Sequence, residues 1–377
     1  MHWRIPLADI NIDQEEYQAV EEVLKNNWLT MGAITQQFET DFSEFSSIEH
    51  SIAVTNCTAG LHLALVALGI GTGDEVIVPS LSFVATANAV CYTGAKPIFA
   101  DITSTEDMTI SPASILNLIN PRTKAIIVMH YGGYACDMDQ ILTIARKHSL
   151  FIVEDAAHAV GASLNGNSLG GLGDIGCFSF FSNKNMTTAE GGMVTTNNAQ
   201  LANKIRLLRS HGMTSLTWDR HSGHAWSYDV VDLGFNYRID EIRSALGIVQ
   251  IKKLLKNNPK RRLLTELYRQ YLEQAIPDVV IPFIRHRGES ACHLMPIILP
   301  RNVDRIQIME KMKKMGVQTS IHYPPIHLFT YYKQQYSAPI LEITENIAKR
   351  ELTLPLFPGM SIEDVNFVVR SLKESLT

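Results

Sequence analysis

Short β-branched runs alternate with helix-spaced stretches through the first two thirds of the chain, and this alternation restricts the fold more than any single residue does. SIAVTN (51–56) reads as a strand and leads into TAGLHLALVALGI, where Leu61, Leu65 and Leu68 keep helical spacing. EVIVPSLSF (75–83) is followed by the helical VATANAVCYTG. KPIFADI, KAIIVMHYGG, the helical DMDQILTIARKHS, FIVEDAA, IGCFSFF and GGMVTTN continue the series. Strands separated by helices of about ten residues imply βαβ units and a largely parallel sheet. The expected class is therefore α/β, with binding groups in loops at the carboxyl ends of strands.

The pattern changes near residue 240. RIDEIRSALGIVQIKKLLK places Ile239, Ile242, Leu246 and Val249 on one helical face. Asn257-Asn258-Pro259 is expected to interrupt that helix, with a second one, RRLLTELYRQYLEQA, following. Beyond Pro277, short strands such as HLMPIIL mix with helices expected at 303–315 and 361–375. On this reading residues 1–250 form a large domain and 251–377 a smaller one, a division that suits a chain of 377 residues.

A formal net charge of −5 gives no long-range pull toward nucleic acid or anionic lipid. Five cysteines without a CxxC pair read as reduced, apolar fillers in a cytoplasmic protein. MHWRIPLADI has neither the basic start nor the apolar run of a signal peptide, and no apolar stretch reaches the roughly 18 residues of a membrane span.

Gly171-Leu172-Gly173-Asp174-Ile175-Gly176 matches the GxGxxG spacing of a dinucleotide site. That chemistry needs a strand before the glycines and a helix after them, whereas here a strand, CFSFF, follows. The segment reads as a loop. No HExxH, paired cysteines or close histidine set points to metal; His211, His221 and His224 read as a polar surface loop.

Four strand ends offer complementary chemistry. The run Cys177–Phe181 leads a buried-looking strand straight into Lys184, within the small, polar, glycine-tipped FFSNKNMTTAEGG. FIVEDAAHAVG carries Glu154-Asp155 at the end of its β-branched run, where Asp155 is either a helix N-cap or an acid that is expensive unless paired with a cation such as a protonated pyridine nitrogen. Asn56-Cys57-Thr58-Ala59-Gly60 sits at a strand-to-helix junction, where free N–H groups and the Thr58 hydroxyl suit a phosphate, or where Thr58 is simply an N-cap. Phe83 either stacks on a ring or packs in the core, and Ser179 presents a second hydroxyl. A lysine, an acid for a pyridinium, a phosphate cup and a stacking face together describe a site for pyridoxal 5'-phosphate.

At these residues the sequence resembles the DegT/DnrJ/EryC1/StrS family of sugar aminotransferases, within the fold type I pyridoxal-phosphate enzymes. The shared blocks include WLTMG (28–32), NCTAGLHLAL (56–65), PSLSFVATAN (79–88), DMD (137–139), EDAAHAVGA (154–162), GDIGCFSFF (173–181), KNMTTAEGGMVTT (184–196), LGFNYRIDEIRSALG (233–247) and LPLFPGM (354–360). The resemblance implies a large cofactor-binding domain with a mostly parallel seven-stranded sheet between helices, and a smaller C-terminal α/β domain. It also implies that Lys184 is the lysine that carries the cofactor and that Asp155 partners the pyridinium. His158 would support the cofactor's phenolic oxygen or ring, at a position often glutamine. Thr58, Ala59 and Ser179 match phosphate ligands, and Phe83 a stacking residue. Asn236 would reach the phosphate of the neighbouring subunit, so a homodimer with shared active sites follows. Thr30, Arg238 and His322 are implied substrate contacts. Relatives with histidine in place of the lysine are dehydratases; retention of Lys184 favours transamination. Ser182-Asn183 departs from the proline or other residue that many relatives carry before the lysine.

The implied reaction moves an amino group from L-glutamate to a nucleotide-linked keto-sugar. RHSGHAWSYDVVDLGFNYR, His158 and SIHYPPIH (320–327) look more like the branch that aminates TDP- or UDP-4-keto-6-deoxyhexoses. Amination of a 3-keto-sugar or a cyclitol, and a non-catalytic regulatory homologue, are the alternatives.

Overall fold

The computed structural model of the protein describes residues 3–215, 223, 226–336 and 339–377; His221 and His224 and part of the 220–238 segment lie outside them. Seven of the apolar runs pair into one sheet. They are β1 (His50–Val54), β2 (Glu75–Pro79), β3 (Lys96–Ala100), β4 (Thr123–Met129), β5 (Phe151–Asp155), β8 (Ile175–Ser179) and β9 (Gly192–Thr196), in the order β1-β9-β8-β5-β4-β2-β3. Between β5 and β8 lies a small hairpin, β6 (Ser163–Leu164) with β7 (Asn167–Ser168). From β8 across to β3 every pairing is parallel, and only β9 runs against its neighbours β8 and β1. This mostly parallel seven-stranded sheet is the one that the resemblance implies.

The strands are apolar on both faces because both faces are covered. Along β4, Ala125 and Ile127 belong to one apolar layer, while Ile126 and Val128 belong to the other. Helices Cys57–Ala67, Ala85–Tyr92 and Ala199–Arg209 contribute to the first layer; Ala33–Ser46 and Met138–His148 contribute to the second. The carboxyl ends of β1, β2, β4, β5 and β8 all reach one edge, and this edge carries the site.

The expected helix break is absent. Glu241–Ala275 is one 35-residue helix with Pro259 inside it. Proline removes one backbone donor and crowds the preceding turn. Tertiary contacts hold the turn instead: Asn258 Nδ2 donates to the Val160 carbonyl at 2.9 Å, and Asn258 Oδ1 accepts from Asn185 Nδ2 at 2.9 Å. The expected division at 250/251 thus falls within a continuous helix. Its Ile251 and Leu254 pack into the sheet layer, whereas Leu264, Tyr268 and Leu272 enter a separate C-terminal core. That core is built around β10 (Met295–Ile298) paired antiparallel with β11 (Glu351–Leu354), and the helix Ile362–Leu376. Among the described residues no helix is long and apolar enough to cross a membrane.

The glycine-rich loop after β7 is structural. Glu154, fully buried, accepts N–H groups from Gly170 (2.7 Å), Leu172 (2.7 Å) and Gly173 (2.6 Å), and its Oε2 lies 2.9 Å from His130 Nε2. A Cβ at Gly176 would overlap the Gly170 carbonyl, so close backbone approach explains that glycine.

Candidate active site

A cavity of about 700 Å³ opens at the carboxyl edge of the sheet, lined by Thr58, Ala59, Phe83, Asp155, His158, Ser179, Lys184 and His322 among others. Residues as far apart in the chain as Thr55 and Tyr323 converge here because the parallel topology delivers successive strand ends to one place.

Lys184 lies in the crossing from β8 to β9, and its neighbours are fixed. Phe180 is buried against Phe38 and Phe42, with ring centroids 5.5 and 5.7 Å apart. Asn185 Nδ2 donates to Asn258 Oδ1 at 2.9 Å and to the Ala291 carbonyl at 2.7 Å. The half-buried lysine between these anchors makes no side-chain hydrogen bond or ion pair among the described residues. Burial lowers its amine from 10.5 to about 8, while the nearby Asp155 and Cys57 oppose the shift. A neutral amine is therefore within reach near neutral pH.

Asp155 ends β5 with its carboxyl buried. Thr86 Oγ1 donates to Oδ2 at 2.7 Å, and the Ala157 N–H donates to Oδ1 at 3.2 Å. Burial raises its pKa; these two bonds and Lys184 pull the other way. A cation arriving beside it relieves the burial cost.

The helix Cys57–Ala67 begins at the cavity wall. Its N-cap is Asn56, whose Oδ1 accepts the Ala59 N–H at 2.8 Å, so Thr58 is not the cap. Among the described residues the N–H groups of Cys57 and Thr58, and the Thr58 hydroxyl, have no hydrogen-bond partner. With Ser179 opposite, they form an anion-binding concavity at the positive end of a helix. Phe83 is 56% exposed on this wall, which removes the core-packing alternative.

His158 is held in one tautomer. The Gly132 N–H points at its Nδ1 (3.2 Å), so the ring proton sits on Nε2 and donates to the Tyr323 oxygen at 3.0 Å. Burial holds the imidazole neutral. Tyr323, also on the cavity wall, then keeps its own hydroxyl proton for a ligand. His322 packs beside it, with Nδ1 2.7 Å from Thr353 Oγ1.

Three expected residues are not on this cavity wall. Thr30 is exposed and bridges to Asp240, Asn236 is exposed, and Arg238 is half-buried without a hydrogen-bond partner among the described residues. Just after Thr30, Glu241 accepts N–H groups from Gly32, Ile34 and Thr35 at 2.8–2.9 Å, capping the helix Ala33–Ser46 from a distance. Sequence reasoning missed Tyr323, which adjoins His322 in a quoted segment, and Thr86, whose partner Asp155 lies 69 positions away.

The lysine, the buried acid, the anion cup and the exposed aromatic ring fit pyridoxal phosphate. Residues 10–373 match the DegT/DnrJ/EryC1/StrS aminotransferase family. The chain belongs to that family. As a DegT/DnrJ/EryC1/StrS member it is a pyridoxal-phosphate-dependent sugar aminotransferase. It is 40% identical over 370 residues to the spore coat polysaccharide biosynthesis protein SpsC of Bacillus subtilis, covering 96% of this chain and 95% of that one. In structure it is similar to PseC of Helicobacter pylori, an aminotransferase involved in the biosynthesis of pseudoaminic acid (TM-score 0.91, 31% identity, 98% of each chain). A putative sugar aminotransferase, Spr1654 of Streptococcus pneumoniae, solved in its PLP form, is 26% identical at a TM-score of 0.91 and also covers 98% of each chain.

Proposed function

We propose that the enzyme takes its amino group from L-glutamate and places it on a nucleotide-linked keto-sugar, a TDP- or UDP-4-keto-6-deoxyhexose that becomes the 4-amino sugar. The observation that carries this reading is the meeting of Lys184 and Asp155 in a cavity whose far wall, His322 and Tyr323, offers polar groups to a second, larger ligand. The relationship to PseC, by its description an aminotransferase of pseudoaminic acid biosynthesis, supports a sugar acceptor.

Pyridoxal phosphate supplies an aldehyde that carries the nitrogen and a ring that takes up electron density. Asp155, oriented by Thr86 and Ala157, holds the proton on the ring nitrogen. Thr58, Ala59 and Ser179 would hold the phosphate, and Phe83 and His158, on the same cavity wall, would hold the ring. Lys184 Nζ takes the proton from the carbon bearing the amino group and returns it on the other side of the transfer. In the sugar half of the cycle the same atom works in reverse. Asn236 completes the phosphate site of the partner subunit in a homodimer, and Arg238 and Thr30 meet substrate near that junction. Exposed Val230, Val231 and Leu233 next to Asn236 supply apolar surface for such a contact. Five free cysteines fit a cytoplasmic enzyme.

The test is the absorbance spectrum of the holoenzyme before and after L-glutamate, followed by a panel of keto-sugar nucleotides. Bleaching of the visible band of the lysine-bound cofactor and amination of a 4-keto acceptor are expected. A band indifferent to glutamate would overturn the donor; amination of only 3-keto or cyclitol acceptors would overturn the 4-keto assignment.

A further inference from the structure

Glu351 is a buried carboxylic acid with no cation on its carboxylate among the described residues. Its two oxygens have different partners. Oε2 accepts the His322 backbone N–H at 2.8 Å, and Oε1 lies 2.5 Å from Thr353 Oγ1. The same Thr353 oxygen is 2.7 Å from His322 Nδ1. His322 in turn lines the active cavity, and its Nε2 makes no hydrogen bond among the described residues.

A hydroxyl has one proton to give, so the chain Glu351–Thr353–His322 has two self-consistent arrangements. With Glu351 ionised, Thr353 donates to Oε1 and accepts from His322 Nδ1–H, which leaves Nε2 as a bare acceptor. With Glu351 protonated, the proton sits on Oε1, because Oε2 already accepts an N–H. Thr353 then accepts that proton and donates its own to His322 Nδ1, so the imidazole carries its hydrogen on Nε2.

We propose that Glu351 is a positioning residue which, through Thr353, selects whether His322 presents a hydrogen-bond donor or an acceptor to the sugar. The proposal rests on the sugar pocket assigned above. Burial lifts the Glu351 carboxyl to about 8, against Thr353, the His322 N–H and Arg305, so the selection falls near working pH. Burial also lowers His322 to about 3, with Lys184 adding to the effect, so the ring stays neutral while its tautomer changes. Lys184, His158 and His293 stand near the His322 ring, the two histidines themselves held neutral by burial, and among the described residues Arg305, Tyr131 and Tyr323 stand near Glu351. Arg305 donates to the Glu351 and Ala348 carbonyls, and Tyr131 donates to the His322 carbonyl. Tyr323 follows His322 in the chain and feels the Glu351 charge, while β10 (Met295–Ile298), paired with β11, offers no titratable side chain. Below pH 8 the sugar meets a donor at Nε2; above it, an acceptor.

The test uses the holoenzyme labelled with ¹⁵N-histidine, with the His322 ring resonances followed by NMR from pH 6 to 10. Wild type should pass from the Nε2–H to the Nδ1–H form around pH 8. Glu351→Gln should stay in the Nε2–H form throughout, since its amide oxygen accepts the His322 N–H and its NH₂ donates to Thr353. Thr353→Val should abolish the step, and Thr353→Ser should keep it, which separates loss of the relay from misfolding. KM for the aminated sugar nucleotide should change about tenfold across the step in wild type, the scale of one hydrogen bond made or lost. In Glu351→Gln it should be flat, with glutamate bleaching unaffected. A single His322 tautomer from pH 6 to 10, or a step that survives in Glu351→Gln, would overturn the relay. Absence of turnover on every sugar nucleotide, with the tautomer step intact, would count against the assigned acceptor and leave the relay standing.

Discussion

Lys184 weakens the folded chain, and its replacement should release that strain in a pH-dependent way. Its amine titrates at about 8 rather than 10.5 because folding strips it of water. Between those values the unfolded chain binds the proton and the folded chain does not, so stability rises with pH across the window. Below pH 8 both states are protonated and the full penalty is present. The gap of 2.5 units (10.5 minus 8) at about 1.36 kcal/mol per unit sets a ceiling of about 3 kcal/mol. Residual solvent contact of the half-buried side chain reduces the expected value to about 2 kcal/mol. Lys184→Met keeps the length and apolar volume of the side chain while removing its charge. In urea unfolding of cofactor-stripped protein at matched concentration, the variant should be about 2 kcal/mol more stable than wild type at pH 7. The difference should shrink from pH 8 upward and vanish beyond 10.5. Glu351 titrates in both proteins and cancels in the comparison. A variant less stable at pH 7 would refute the desolvation argument, and an equal difference at pH 7 and 10.5 would assign the effect to packing.

Two other substitutions separate cofactor binding from folding. Phe83→Ala should leave the melting temperature within about 2 °C, because an exposed ring contributes little to the core, yet weaken pyridoxal phosphate binding about tenfold in a fluorescence titration; a large loss of stability would contradict the stacking role. Thr86→Val removes the donor to Asp155 Oδ2, so the acid should titrate still higher and cofactor affinity should fall about tenfold, while an unchanged affinity would show that Ala157 alone orients the carboxylate.

What was legible in the sequence were features set by local periodicity. The runs KPIFADI, KAIIVM and FIVED became β3, β4 and β5, and the helices expected at 303–315 and 361–375 appear as Arg305–Lys314 and Ile362–Leu376. The dinucleotide-like glycines form a loop, as their place ahead of a strand implies, since order along the chain decides that motif. Asn257-Asn258-Pro259 misled because local propensity signals a stop, and only contacts from Val160 and Asn185 reveal why the helix continues. Whether Thr58 caps its helix or faces a ligand depends on where that helix begins, and the cap proves to be Asn56, two residues earlier, which leaves the Thr58 hydroxyl free. Thr86 and Asp155 are 69 positions apart, and Glu351 and His322 are joined through a third residue. Such pairings arise from tertiary geometry, and neither spacing nor composition carries them.

The adjacent acids of β5 divide two jobs by the pleat of a single strand. Successive side chains on a strand point to opposite faces. Glu154 is spent on the glycine-rich loop and His130, and Asp155 is turned toward the cavity. A slip of β5 by one residue against β4 that brought Glu154 opposite Met129 would leave the composition and net charge untouched while putting the longer acid in the place of Asp155. Val153, whose side chain accepts no hydrogen bond, would then stand where Glu154 now receives the three N–H groups of the loop. Insertions or deletions near Phe151 should therefore be far more damaging than substitutions there, since this enzyme keeps its chemistry and its scaffold on neighbouring links of the same chain.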